Sequence, residues 1–163
     1  MAELVMRYFK DMALSRLMYV DIWWGASMEN QATANERMPA LIELSKAGFH
    51  TFISAEPLLG PIDFSLWPNM SEGVIVGGES GQQARPMHPD WARSIRDQCQ
   101  TTNTKFFFKQ WGEWEPVLDL DAAAARHEFG CYGWNDNTFS RRVGKRRAGR
   151  LLDGVEHNDL PWR

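Results

Sequence analysis

The chain has 163 residues, of which 44% are hydrophobic and 24% charged, and a formal net charge of -3. That balance excludes a wholly disordered chain, and it excludes recruitment of nucleic acid or an anionic membrane by overall charge. Two cysteines are too few for a disulfide framework, so a reducing cytoplasm is the expected location.

Residues 1–19 set Glu3, Arg7, Lys10, Asp11 and Arg16 among Leu4, Val5, Phe9, Met12, Leu14, Leu17 and Met18. This predicts an amphipathic helix, with neither a signal peptide nor a membrane span. Residues 20–27 (VDIWWGAS) form a β-branched and aromatic run and predict a first strand. Thr33 and Glu36 stand in the spacing of a capping box, and Met38, Leu41, Ile42 and Leu44 then supply a helical apolar face. Pro39 is expected to interrupt or restart that helix. After Gly48, residues 49–55 (FHTFISA) predict the second strand.

The segment EPLLGPIDFSLWPN holds three prolines and a glycine, which predicts a long ordered loop in place of a crossover helix. Val74, Ile75 and Val76 form the third strand and break at Gly77 and Gly78. Pro89 suits the first turn of a helix with Trp91, Ile95 and Cys99 on its buried face and Arg93, Arg96 and Asp97 toward water. Residues 105–112 (KFFFKQWG) are the fourth strand. Beyond them, Ala122 to Ala125 predict a helical turn, GCYGWNDN a loop, and RRVGKRRAGR a dense basic stretch.

Strands joined by mostly helical connections predict a parallel α/β sheet. A complete eight-stranded (β/α) barrel takes roughly 250 residues. One domain is expected, with a helix at 1–19, a core of four mainly parallel strands at 20–115 and an irregular extension at 116–163, and the family likeness drawn from the blocks quoted below implies that this core is a partial, half TIM-like barrel. Half a barrel leaves edge strands and one sheet face open, to be covered by the terminal segments or by a second copy in a homodimer.

Polar residues recur where strands end: Glu29 and Asn30, then Glu56, then Glu79 and Ser80, then Lys109 and Gln110. The carboxyl ends of parallel strands converge on one rim, the usual place for ligands. These seven residues, together with Arg85, are the ligand-site candidates. Glu56 and Glu79 have the chemistry of a general acid or base, a cation ligand or an anchor for hydroxyl groups. The competing reading pairs Lys109 with a carboxylate structurally and lets Glu79 cap the turn that follows. The glycine-rich GGESG lacks the G-K-[ST] of a Walker loop and is not G-x-G-x-x-G, so it is a weak phosphate signal. His88 is placed to cap the helix at Pro89 or to touch a ligand. His50, His127 and His157 show no metal-ligand spacing, and neither a metal nor a cofactor is expected. Arg141, Arg142, Lys145, Arg146, Arg147 and Arg150, with Trp134 and Phe139 nearby as stacking surfaces, are candidate contacts for nucleic acid or a protein partner.

Five blocks in order, IWWGASMENQATANERMPAL, FISAEPLLGPID, VIVGGESGQQARPMHPDWARSIRDQC, FFFKQWGEW and VGKRRAGRLLDG, resemble the carboxyl-terminal part of a phage-associated protein family of poorly defined role. The likeness spans residues 20–161. Full-length members of that family look like radical S-adenosylmethionine proteins with three clustered cysteines near the amino terminus. The resemblance implies a partial or complete (β/α) barrel whose amino-terminal half holds an iron–sulfur cluster. Here only Cys99 and Cys131 occur, neither in a cluster motif, so radical chemistry is not expected of this chain. The expected function is instead that of a non-catalytic phage or mobile-element protein that binds a macromolecular partner, for example as an inhibitor of a host defence complex. An enzyme or split-enzyme subunit acting on a nucleotide-like ligand, and a nucleic-acid module using the basic tail, are the alternatives.

Overall fold

The computed structural model describes residues 22–67, 71–117, 130–134, 136 and 138–163. The helix expected at residues 1–19, the start of the first strand and the turn expected at Ala122 to Ala125 lie outside the described residues.

Four strands, β1 (Trp23–Ser27), β2 (His50–Ala55), β3 (Gly73–Gly77) and β4 (Lys105–Gln110), pair in parallel in the order β1-β2-β3-β4. Each new strand adds on the same side of the last, so the winding never reverses. Among the described residues this sheet is open and does not close into a barrel.

Helix α1 (Gln31–Lys46) follows β1, and its start differs from the expected one. Asn30 is the N-cap: its side chain accepts from the Thr33 amide at 3.1 Å, and Thr33 Oγ1 accepts from the Asn30 amide at 3.2 Å. The capping box is therefore Asn30 with Thr33, one turn earlier than Thr33 with Glu36, because Asn supplies the acceptor a helix start needs. Pro39 does not interrupt the helix; its ring is exposed on the outer side, while Ala34, Met38, Leu41 and Leu44 point inward.

Between β2 and β3 the described residues form no helix, as the prolines predict. Two glutamines hold this loop to the flanking helices. Gln31 accepts from the Asp63 amide at 2.7 Å. Gln98, on helix α2 (Pro89–Thr101), accepts from the Phe64 amide at 2.7 Å and donates to the Ile62 carbonyl at 2.9 Å. These bonds satisfy loop backbone next to the buried Leu58, Ile62 and Phe64.

Strand alternation decides which face is dry. Ile53, Ala55, Val74, Val76, Phe106 and Phe108 join Met38 and Leu41 of α1 and Ala92, Ile95 and Cys99 of α2 in one buried cluster, so both helices cover the same face. Each fully buried large side chain, such as Phe108 or Ile53, contributes about 1.5–3 kcal/mol. Among the described residues no helix covers the other face, here the helix-free face, which carries Trp23, Gly25 and Ser27 from β1, Phe52 and Ser54 from β2, Ile75 and Gly77 from β3, and Phe107 from β4.

The carboxyl-terminal extension, expected to be irregular, contains a second sheet. Strands β5 (Trp114–Val117), β6 (Cys131–Gly133) and β7 (Phe139–Arg142) form an antiparallel sheet in the order β5-β7-β6, followed by the short helix α3 (Lys145–Ala148). These strands have three or four residues each, too short to show an alternating pattern. Arg93 and Arg96, expected to face water, instead bind Asp153 of the tail at 2.7 and 2.8 Å. Leu152 beside it is fully buried in the core of the parallel sheet.

Candidate functional site at the rim of the parallel sheet

The end of β4 carries one extra residue. Val76 lies opposite Phe108, but Gly77 lies opposite Gln110, so Lys109 is a bulge. A bulge re-aims the side chains around it. Both Lys109 and Gln110 consequently reach one carboxylate: Lys109 Nζ donates to Glu56 Oε2 at 2.8 Å, and Gln110 Nε2 lies 3.4 Å from Glu56 Oε1 and 3.3 Å from Ser80 Oγ. Glu56 stands just after β2, with its side chain over Gly77, where a β-carbon would approach its carboxyl carbon to 3.1 Å. The Glu56 side chain is 20% exposed and that of Lys109 49%, so the pair is open to solvent on one side. Gln110 is buried, and its Oε1 has no hydrogen-bond partner among the described residues.

Below this group, toward the start of the strands, the helix-free face is filled. Phe52 lies over Gly25, Pro161 lies over Gly73, and Trp162 stands edge-on to Trp23 and Phe52. Toward the strand ends the face is lower, with Ser27 beside Ser54 and then Ile75 and Gly77. At the strand ends Gly77 makes room for the Glu56 carboxylate, which meets the Lys109 ammonium and the Gln110 amide. That set can hold hydrogen-bond donors and acceptors together.

The remaining candidates divide differently. Glu79 is bound by Arg85 through Nε and Nη2, both at 2.8 Å, and accepts from the Arg85 amide at 2.8 Å. The Arg85 hydrogen bonds hold its carboxyl down at about 2, against the opposing effect of partial burial. Glu29 faces Arg37, whose Nη1 lies 3.1 Å from both carboxylate oxygens and 2.6 Å from the Ser27 carbonyl. Burial acts to raise the Glu29 pKa, yet the backbone bond and those from Arg37 and Thr33 outweigh it, and the net shift is downward. Asn30 is engaged as the helix cap. The structure thus brings together Glu56, Ser80, Lys109 and Gln110, and ties Glu29, Asn30, Glu79 and Arg85 into local pairs.

GGESG does not present an empty anion cradle. Gly81 N donates to Glu113 Oε1 at 3.2 Å and the Arg85 amide to Glu79, so carboxylates of this chain already occupy these donors. Glu113, Arg37 and Asp153 were not legible as site neighbours, since each reaches its partner only through the fold.

The basic stretch also resolves into parts. Arg141 binds Glu115 at 2.6 Å. Arg142 donates to the carbonyls of Gly81 and Gln82 and lies 5.8 Å from the Trp114 ring centre. Arg150 bonds Asn158 and lies over Phe107 at 5.2 Å. Lys145, Arg146 and Arg147 are exposed. Of the two stacking surfaces expected there, Phe139 is buried and Trp134 packs against Trp91, Tyr132 and His88.

His88 caps α2: its Nδ1 accepts from the Asp90 amide at 3.1 Å. With that lone pair engaged, Nε2 carries the proton and faces Asp136 Oδ2 and Thr138 Oγ1, each at 2.9 Å. His88, Asp90 and Asp136 lie close enough to hold a metal ion. Ligation through Nε2 would require a protonated Nδ1 and would cost the cap, so the geometry is that of a peg joining α2 to the small sheet. A groove of about 660 Å³ between α2 and the β2–β3 loop, lined by Phe64, Arg93, Arg96 and Gln98 among others, lies away from the rim. Its arginines are already paired with Asp153, so the rim is the better candidate for binding.

Fold and site together define an α/β protein with a polar group at the rim of an open parallel sheet. The chain belongs to the family described as "Protein of unknown function (DUF5131)", whose model matches residues 1–161. None of the curated proteins and none of the solved structures matches it. Among the described residues, no helix is long and apolar enough to cross a membrane.

Proposed function

We propose that this chain acts by binding, with the helix-free rim of the parallel sheet as its receiving surface, and that it is not a catalyst by itself. The observation that carries this reading is the change along that face: bulky Phe52 and Trp162 at the floor, Ser27 and Ser54 toward the strand ends, and Glu56 meeting Lys109 over Gly77, open to solvent on one side. Sequential strand order with both helices on one face supports reading the sheet as four successive strands of a (β/α) barrel, whose interior this face would line. The partner proposed is a macromolecule of a bacterial host, met in the cytoplasm by a phage or mobile-element protein, and an inhibitor of a defence complex is its concrete form.

The residues present do not fit an iron–sulfur cluster. Cys99 is fully buried on α2, where burial pushes its thiol up to about 12, and Cys131 sits on β6 of the other sheet. A closely spaced thiolate set is required and two separated cysteines do not supply it. No step is derived through such a cluster.

Photo-crosslinking from a residue introduced at Ser54, in host extract, tests the proposal. One dominant protein adduct that disappears in Lys109→Glu supports it. A nucleoside or nucleotide that raises the melting temperature of the wild type, but not of Glu56→Gln, supports the nucleotide-ligand reading, to which the same rim carboxylate belongs. Turnover of such a ligand by the purified chain would overturn the non-catalytic reading.

A further inference from the structure

The tail beyond Asp153 does something the rim reading does not use. Up to Asp153 it is firmly held, by buried Leu152 and by the two arginines of α2. A link then follows: Val155 exchanges backbone bonds with Leu152 at 3.0 and 3.1 Å around Gly154 at φ 79°, and the Val155 and Glu156 side chains are exposed. After that link the chain runs beside the outer edge of β4: Asn158 bridges Phe107 in antiparallel fashion, and the Phe108 amide donates to the His157 carbonyl at 3.1 Å. It then turns onto the helix-free face, where Pro161 sits on Gly73 and Trp162 touches Trp23 and Phe52. Lys105 Nζ donates to the carbonyls of Pro161, at 3.2 Å, and Arg163.

The geometry points to residues 157–163 as a detachable edge strap: docked, it occupies the β4 backbone groups to which a strand from a second copy of this chain would otherwise add. An unpaired sheet edge is a template for strand addition, and proteins cover such edges. Here the backbone pairing is a single bridge, backed by buried Pro161, by His157 edge-on to Phe106 and by Trp162, which is still 43% exposed, whereas β3 pairs β4 along five registered positions. Release therefore exposes the β4 edge while leaving the sheet intact. Lys105, which loses its carbonyl partners when the strap leaves, places positive charge on that strand and opposes self-pairing, so association after release rises with salt.

Gly73→Ala tests this in the full chain, because its β-carbon would meet Pro161 at 2.7 Å and push the strap off from beneath. By hydrogen exchange, the Phe108 amide is expected to exchange at least about tenfold faster, a shift of 1.4 kcal/mol, while Ile53 in β2 keeps its protection. Light scattering is expected to show a higher mass than wild type at equal concentration, increasing with salt. Trp162→Ala undocks the strap without touching β3 and gives the same two results even where Gly73→Ala disturbs the sheet. Unchanged Phe108 exchange in Trp162→Ala overturns the strap, and faster exchange with no gain in mass overturns its role against self-association.

Discussion

The side chain of Glu56 lies across Gly77, and a β-carbon there would come within 3.1 Å of its carboxyl carbon. A glycine on β3 therefore makes room for a carboxylate that follows β2, and the bulge at Lys109 brings its cation from β4. Three strands thus contribute to one ionic contact.

Gly77→Ala is expected to displace the flexible Glu56 side chain at a cost of about 1 kcal/mol, at the low end for overpacking. Gly78→Ala is expected to cost more than about 4 kcal/mol, because its β-carbon would fall 1.9 Å from the Trp111 carbonyl oxygen, which cannot swing away. Denaturant titration of the two variants checks the contrast; equal losses would refute it.

Removing Lys109 should change stability little. The pair with Glu56 is half open to water, so Lys109→Met is expected to lower stability by less than about 1 kcal/mol. A large loss on chemical denaturation would mean that the contact is structural and would count against the binding site.

Acid should weaken the fold through Glu79. Its folded-state pKa of about 2 lies below its ordinary 4.5, so its contribution is present above pH 4.5 and is lost as pH falls toward 2. NMR titration should place its midpoint near 2 in the wild type and nearer 4.5 in Arg85→Ala, with a flatter acid stability profile in that variant.

Breaking the His88 peg removes a cap and the bonds to Asp136 and Thr138, which stay bonded to each other. His88→Ala is expected to cost about 2 kcal/mol, with His88→Asn recovering the capping share of about 1 kcal/mol. Thermal melts check the order, and zinc added to the wild type should leave the melting temperature unchanged.

Iodoacetamide should spare Cys99 in the native protein and modify it only after unfolding. Burial disfavours its thiolate, the reactive form. Mass spectrometry of peptides labelled with and without denaturant separates the two states; native labelling of Cys99 would show that α2 opens.

The sequence by itself determined the parallel strands and the helix that opens at Pro89, since β-branched runs, glycine breaks and a proline at a helix start act within a few residues. It also marked Glu56, Ser80, Lys109 and Gln110, because polar residues at the ends of parallel strands share one rim. Only the tertiary structure decided which carboxylates were already spoken for. Arg37 reaches Glu29 from α1, Arg85 folds back on Glu79, and Glu113 fills the GGESG turn, while Asp153 ties the tail to α2 across 57 and 60 positions of sequence. The small antiparallel sheet and the strap on β4 were hidden for the same reason: their pairing is long-range and their strands are too short to carry a period. Charge and shape at the rim depend on which distant side chains arrive there, and that follows from packing.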